Sequence, residues 1–383
     1  MLLAMLLIAA ASAPTLPPTS APPTPTEVGA RVRAAAVEGH ATLVHAEYAA
    51  SLEAARRMRA AIAAFGAEPS EAGLARAREA WIEARWIYGR TEVFRFGGGP
   101  IDTTRGGVET FVNAWPVDEA YLDAVEGAAA PGIIANPTRY PALGRAILRQ
   151  LNQRGSETNV CTGWHAIEFL LWGQDRSEDG PGTRSAADFV DGAPFAERRR
   201  ELLLEVTDML CEDLARLEQA WRPGLENYRV RFVQDPDAAV RAILAGVRLL
   251  AGFEMSGERL AVPYETRDQE EEHSCFSDTT HVDFLANMAG IAAVLRGRGT
   301  PGMIAVIAIA DPARARSLDE ATSAAVAAVE AMPVPFDRAI RAADGSSERA
   351  RLLAAIEALE RLGDETAAAA RTLGMNLPSE PQG

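Results

Sequence analysis

Lysine is absent from this 383-residue chain; apart from five histidines, every basic side chain is arginine. That excludes Schiff-base catalysis, the phosphate-binding lysine of a P-loop and a Ser-Lys dyad. Genomic base composition explains the absence more simply than function does. Cysteine is scarce: Cys161, Cys211 and Cys275 are too few for a disulfide framework. Aromatic residues make up only 6%, and no alternating apolar–polar run marks a half-buried strand. No apolar run is long enough to span a bilayer, since residues 2–11 and MIAVIAIA (303–310) are both too short. A net charge of -15 repels nucleic acid and anionic lipid, which removes both as partners.

What remains is a chain dominated by Ala, Leu, Glu and Arg, a composition that favours helix. The N-terminus reads MLLAMLLIAAASAPTLPPTSAPPTPTE. Its short apolar run and Ala11-Ser12-Ala13 cleavage pattern predict an export signal over residues 1–13, although the usual positive leading segment is missing. Pro- and Thr-rich residues 14–26 predict a disordered tether. Localisation is therefore expected in the periplasm or cell envelope. No cysteine stands near the cleavage site to support a lipoprotein anchor.

Apolar residues then recur at helical spacing over 28–65, from a Ser70 cap to about 88 or 96, and over 117–127, 139–153, 162–172, 195–220, 236–261, 278–296, 314–331 and 347–373. Residues 303–310 predict a short buried helix or connector. The fold class is all-α: two helical-bundle domains packed together, over 27–215 and 216–383, compatible with an ancient duplication.

One stretch demands a chemical explanation. GWHAIEFLLWGQD (163–175) is almost wholly apolar, yet it contains His165 and Glu168. On a helical wheel Cys161, His165, Glu168, Phe169 and Trp172 share one face, while Trp164, Ile167, Leu170 and Leu171 cover the other. A helix apolar all round is buried. An unpaired carboxylate there costs several kcal/mol, so an arginine, a hydrogen-bond network or a metal must compensate it. The i,i+3 spacing aims both groups at one point, as in carboxylate-bridged metal sites. The bland alternative is a His–Glu hydrogen bond satisfied by arginine. The H-E-x-x-H zincin pattern is absent, because Ala166 and Phe169 stand where its glutamate and second histidine belong.

Two further segments carry candidate ligands. In WIEARWIYGRTEVFRFGGGPID (81–102), Glu92 and Asp102 are hard-oxygen ligands, and Arg85 and Tyr88 could orient them. A solvated amphipathic face is the alternative. In DQEEEHSCFSDTTHVDFLANMAGI (268–291), His273, Asp278 and His281 form a possible additional site, against a merely solvated acidic loop. Noncovalent haem through His273 or His281 stays open, while the missing C-x-x-C-H argues against covalent attachment. His40 and His45 are expected at the surface or the edge of the core.

These blocks resemble a known family. GWHAIEFLLWGQD is similar to the G-x-H-x-x-E signature of the imelysin family (peptidase M75), especially its iron-regulated protein A branch, and TEVFRFGGGPID and EEEHSCFSDTTHVDFLANMAGI resemble two further blocks of that branch. The resemblance implies an all-helical two-bundle fold, a bacterial envelope location, expression tied to iron supply and envelope iron-uptake partners. It also implies a metal site built from His165, Glu168, Glu92 and Asp102, with Arg85, Tyr88 and Cys161 around it. Iron is the first expectation, with zinc or calcium as alternatives. Three functions remain open: a non-catalytic metal binder, a metallopeptidase with Glu168 or Glu92 as general base, and an interaction module with a structural His–Glu pair. Cys161 and Cys275 flank two of the blocks, so a disulfide between them also remains open.

Overall fold

The computed structural model describes residues 24–103, 106–128, 130–177 and 180–381. The expected export signal lies outside the described residues, as does most of the expected tether. The last residues of that tether are instead helical. Thr24 caps a 43-residue helix, Pro25–Ala67. Its hydroxyl accepts the Glu27 amide at 3.3 Å, and the Glu27 carboxylate accepts the Thr24 N–H at 2.7 Å. Such reciprocal capping starts a helix even beside prolines, because a proline in the first turn has no N–H to leave unpaired.

The described residues contain helices and no strand. Pro25–Ala67, Glu71–Gly89, Gly163–Trp172 and Ala196–Trp221 form one packed group. A rod from Pro236 to Thr266 packs with Thr280–Arg296, Pro312–Glu330 and Ser347–Thr372 in a second, and Met303–Ala310 leads into it. The groups meet where Thr280–Arg296 lies on Glu71–Gly89 and where Pro25–Ala67 receives Pro236–Leu249 and Met303–Ala310. One continuous apolar core runs through both. The all-α, two-bundle fold is therefore as expected. The chain does not change bundle at residue 215, however; Ala196–Trp221 is unbroken, and the turn comes at 222–227.

Two expected helices shrink to single turns or little more, Glu119–Leu122 and Arg145–Leu151. The first ends where Asp123 is drawn into hydrogen bonds with Arg184 (2.9 Å) and Arg199 (2.8 Å). Pro141 and Gly144 delay the second. The Pro236–Thr266 rod is α-helical to Leu249, π-helical over Leu250–Ala261 and α-helical again from Val262. Long π segments are rare and often mark function. Here Gly252 faces Gly363: a β-carbon added to Gly363 would lie 2.9 Å from the Gly252 Cα. The two glycines thus let the rod and the final helix touch backbone to backbone.

A buried histidine–arginine–carboxylate hub as the candidate site

Gly163 opens the motif helix, Gly163–Trp172, at φ +85°, and a β-carbon there would stand 2.4 Å from the Val112 carbonyl oxygen. Only glycine satisfies both constraints. Every residue of this helix is buried. Trp164 packs against Tyr88 and Trp81, and its carbonyl accepts the Trp81 indole N–H at 3.1 Å. That apolar wall leaves His165 and Glu168 to face the seam between the bundles.

His165 Nδ1 lies 2.9 Å from Glu168 Oε2. The other oxygen, Oε1, accepts the backbone N–H of Ser277 at 3.0 Å and its hydroxyl at 2.7 Å. Arg85, only 1% exposed, enters from Glu71–Gly89. Its Nε donates to Asp283 Oδ1 at 2.9 Å and its Nη1 to Asn113 Oδ1. Its Nη2 lies 3.3 Å from His165 Nε2, 3.4 Å from His273 Nε2 and 3.7 Å from Glu92 Oε1. A guanidinium only donates, so His165 Nε2 accepts, and the imidazole proton sits on Nδ1, directed at Glu168. His273 Nδ1 similarly meets Asp283 Oδ2 at 2.7 Å, and that oxygen also accepts the Ser274 hydroxyl at 2.6 Å. The two imidazole rings stand 4.8 Å apart.

A second guanidinium comes from the π-helical segment. Arg259 Nη2 donates to Glu92 Oε2 at 2.6 Å and to Glu254 at 2.7 Å, and its Nη1 donates to Asn287 at 3.1 Å. Burial alone would raise the Glu92 carboxyl, but Arg259 and Arg85 hold it at about 2. Glu168 has no such cation of its own; burial pushes it up to about 8, against the pull of the Ser277 donations. Burial, reinforced by the neighbouring arginines, holds His165 and His273 well below the usual imidazole range, so both are neutral.

Of the four expected ligands, His165, Glu168 and Glu92 enter the hub. Asp102 makes no hydrogen bond or ion pair with the hub residues, and its buried Oδ1 is without a partner. Arg85, expected to orient ligands, is the centre. Tyr88 lies with its ring 5.4 Å from that guanidinium and its buried hydroxyl unpartnered. The Cys161 thiol faces the Leu148 carbonyl at 3.5 Å, and all three cysteines are free thiols, so no Cys161–Cys275 disulfide forms. The third segment divides. His273 joins the hub, Asp278 turns toward Asp175, and half-buried His281 keeps its Nδ1 unpartnered. His40 sits at the core edge among Phe94, Trp221 and Phe232, and His45 meets Glu218 at 2.8 Å.

Sequence reading missed Asp283, Asn113, Ser277 and Arg259. Asp283 and Asn287 stand one turn apart on the largely apolar Thr280–Arg296 helix, a signal of the same kind that exposed His165. Asn113 and Arg259 carried none. Among the described residues, only Asp175, Asp278 and Asp337 bring three ligand atoms within 4.8 Å of one another. The hub donors are spread around a guanidinium instead, and both Glu168 oxygens are engaged. A bare ion does not fit among them in this arrangement.

The model of the Imelysin family, peptidase M75, matches residues 44–364, a span that includes every hub residue. Iron-regulated protein A of Synechococcus elongatus is 25% identical over 305 residues, covering 76% of this chain and 73% of that protein. A crystal structure from Parabacteroides distasonis, provisionally named an iron-regulated protein A precursor, superposes with a TM-score of 0.70. It covers 92% of this chain and 97% of that one at 17% identity, a likeness of fold. The extent of the family match shows that this chain belongs to the imelysin family.

Proposed function

We propose that the chain is an exported, non-hydrolytic component of bacterial iron acquisition, located in the periplasm or cell envelope. Its G-x-H-x-x-E segment acts as a hydrogen-bonded keystone between the bundles, with Arg85 seated against His165. The iron link rests on the family and on the name of its cyanobacterial relative; export rests on residues 1–13. Among the described residues, no helix is long and apolar enough to cross a membrane. The observation that carries the keystone role is Arg85 Nη2, seated among His165, His273 and Glu92. A peptidase of the expected kind would need Glu168 or Glu92 to face a water in an open cleft. Glu168 is fully buried with both oxygens engaged, and Glu92 is ion-paired with Arg259.

A second reading is favoured by Glu92 Oε1, a buried oxygen without a hydrogen-bond partner. Were Arg85 to withdraw, two imidazoles and a carboxylate would surround the vacated place, a set suited to iron(II) or zinc. Glu168 and Asp283 would then orient the imidazoles through Nδ1, as carboxylates do around metal-bound histidine.

One experiment separates the readings. Protein purified without chelator is analysed for metals beside His165→Ala and Glu168→Gln, and all three are incubated with unfolded casein. The keystone reading expects no histidine-dependent metal, no cleavage and a lower stability in His165→Ala. Stoichiometric iron or zinc lost in His165→Ala would establish the second reading, and cleavage abolished in Glu168→Gln would establish a peptidase.

A further inference from the structure

A second cluster of buried charge lies beside the hub and takes no part in it. Asp175 follows the motif helix, Asp278 precedes Thr280–Arg296, and Asp337 lies on the short helix Phe336–Arg341. One carboxylate oxygen from each falls within 4.8 Å of the others. Calcium ligands stand about 2.3–2.6 Å from the ion, so any two are at most about 5 Å apart. The spacing is that of a shared cation.

The orphaned oxygens point the same way. Asp337 is 1% exposed, and neither of its carboxylate oxygens has a hydrogen-bond partner. Asp175 is 3% exposed; its Oδ1 accepts the Ser177 amide at 3.0 Å, but its Oδ2 is unpartnered. Asp278 leaves Oδ1 unpartnered. Fully buried Glu272 turns toward Asp337, and neither of its oxygens finds a donor of good geometry. Four carboxyl groups thus converge with six buried oxygens unsatisfied. The neighbouring guanidinium of Arg341 moderates Asp175, but it is also engaged with Gln269. Buried carboxylates are normally paired or metal-bound, because desolvation without compensation is costly.

We propose that Asp175, Asp278 and Asp337, backed by Glu272, bind a hard divalent cation of the calcium class. Every donor is a carboxylate oxygen, with no imidazole or thiolate in the set, which suits calcium better than zinc or copper. A cation here joins the end of the motif helix to the Thr280–Arg296 cap and to the C-terminal half of the chain. It also steadies the hub, because Asp278 directly follows Ser277, whose N–H and hydroxyl both donate to Glu168. The site is independent of the iron reading.

The test uses the full chain, stripped with EDTA, dialysed and titrated with calcium chloride, magnesium chloride and manganese chloride by calorimetry and thermal unfolding. One calcium per chain is expected. At an ion concentration 100-fold above Kd the midpoint should rise by about 5 °C. Asp337→Asn should abolish that rise while leaving the ion-free midpoint unchanged or higher, since it relieves repulsion; a mere folding defect would lower it. Glu272→Gln should weaken binding about tenfold, and Asp191→Asn, a change at an exposed residue elsewhere, should leave it intact. No heat and no shift with any ion would overturn the site, as would calcium binding unaffected by Asp337→Asn. Tighter binding of manganese than calcium would overturn the class of ion. None of these outcomes decides between the readings of the hub, which are tested by its own variants.

Discussion

His165 and Glu168 are tolerated in an apolar helix because each finds a directed partner, and the least replaceable partner is Arg85. Its guanidinium touches Asp283, Asn113, His165 and His273. Arg85→Met would strand Asp283 without its cation, and removing one partner of a buried pair costs about 3–5 kcal/mol. Urea unfolding should show that loss at pH 7; a loss below about 1 kcal/mol, the scale of an exposed pair, would show that the network is not holding the fold. Gly163→Ala should be destabilising by at least about 2 kcal/mol, through its positive φ and the clash with Val112.

His40 gives a prediction in pH. Burial among aromatic rings lowers its pKa from 6.5 to about 3. Between those values the unfolded chain binds the extra proton, so this contribution to stability is complete above pH 6.5 and is lost as pH falls toward 3. From pH 7 to 4.5 the loss from this one group is about 2–3 kcal/mol. Stability measured at both pH values should fall less in His40→Phe than in wild type. Equal losses would mean that His40 is not buried as described.

At the scale of elements, the π-helical turn connects a packing feature to the hub. The segment carries Glu254 and Arg259, and Arg259 neutralises Glu92 from the side opposite Arg85. In the same segment Gly252 closely approaches Gly363. Gly363→Val would push a branched side chain into the opposing backbone and force the rod outward. The expected result is a loss of about 2 kcal/mol or more, with faster amide exchange in 250–261 than in 25–67. Uniform exchange with unchanged stability would show that the approach is not needed.

For the molecule as a whole, the hub draws on Glu71–Gly89 and the motif helix from the first bundle, and on the π segment and Thr280–Arg296 from the second. A single apolar core continues across the same seam. The bundles should therefore unfold together, in one calorimetric transition, although chains of this length often unfold in stages. Arg85→Met should broaden or split that transition by weakening the tie between bundles. Two separated transitions in the wild type would contradict this account.

Much of this was legible in the residues themselves. Helix positions follow from apolar spacing, a local property, and so did the burial of 163–172. The need for a compensating group beside His165 and Glu168 followed from the cost of burying charge. The late start of the helix expected over 139–153 was written locally, in Pro141 and Gly144. Local pattern did not reveal where 117–127 loses its helix, because capture of Asp123 by arginines 61 and 76 residues away is not a local event. Nor could it choose the compensating cation. Residue pattern alone was enough for an all-helical chain, a dry His–Glu pair and the motifs of the family. It took the packing of distant segments to place the guanidinium of residue 85 against His165, to give Glu168 the donors of Ser277, and to bring Asp278 together with Asp175 and Asp337. Electrostatic compensation acts through space, between side chains whose separation along the chain carries no information about their distance.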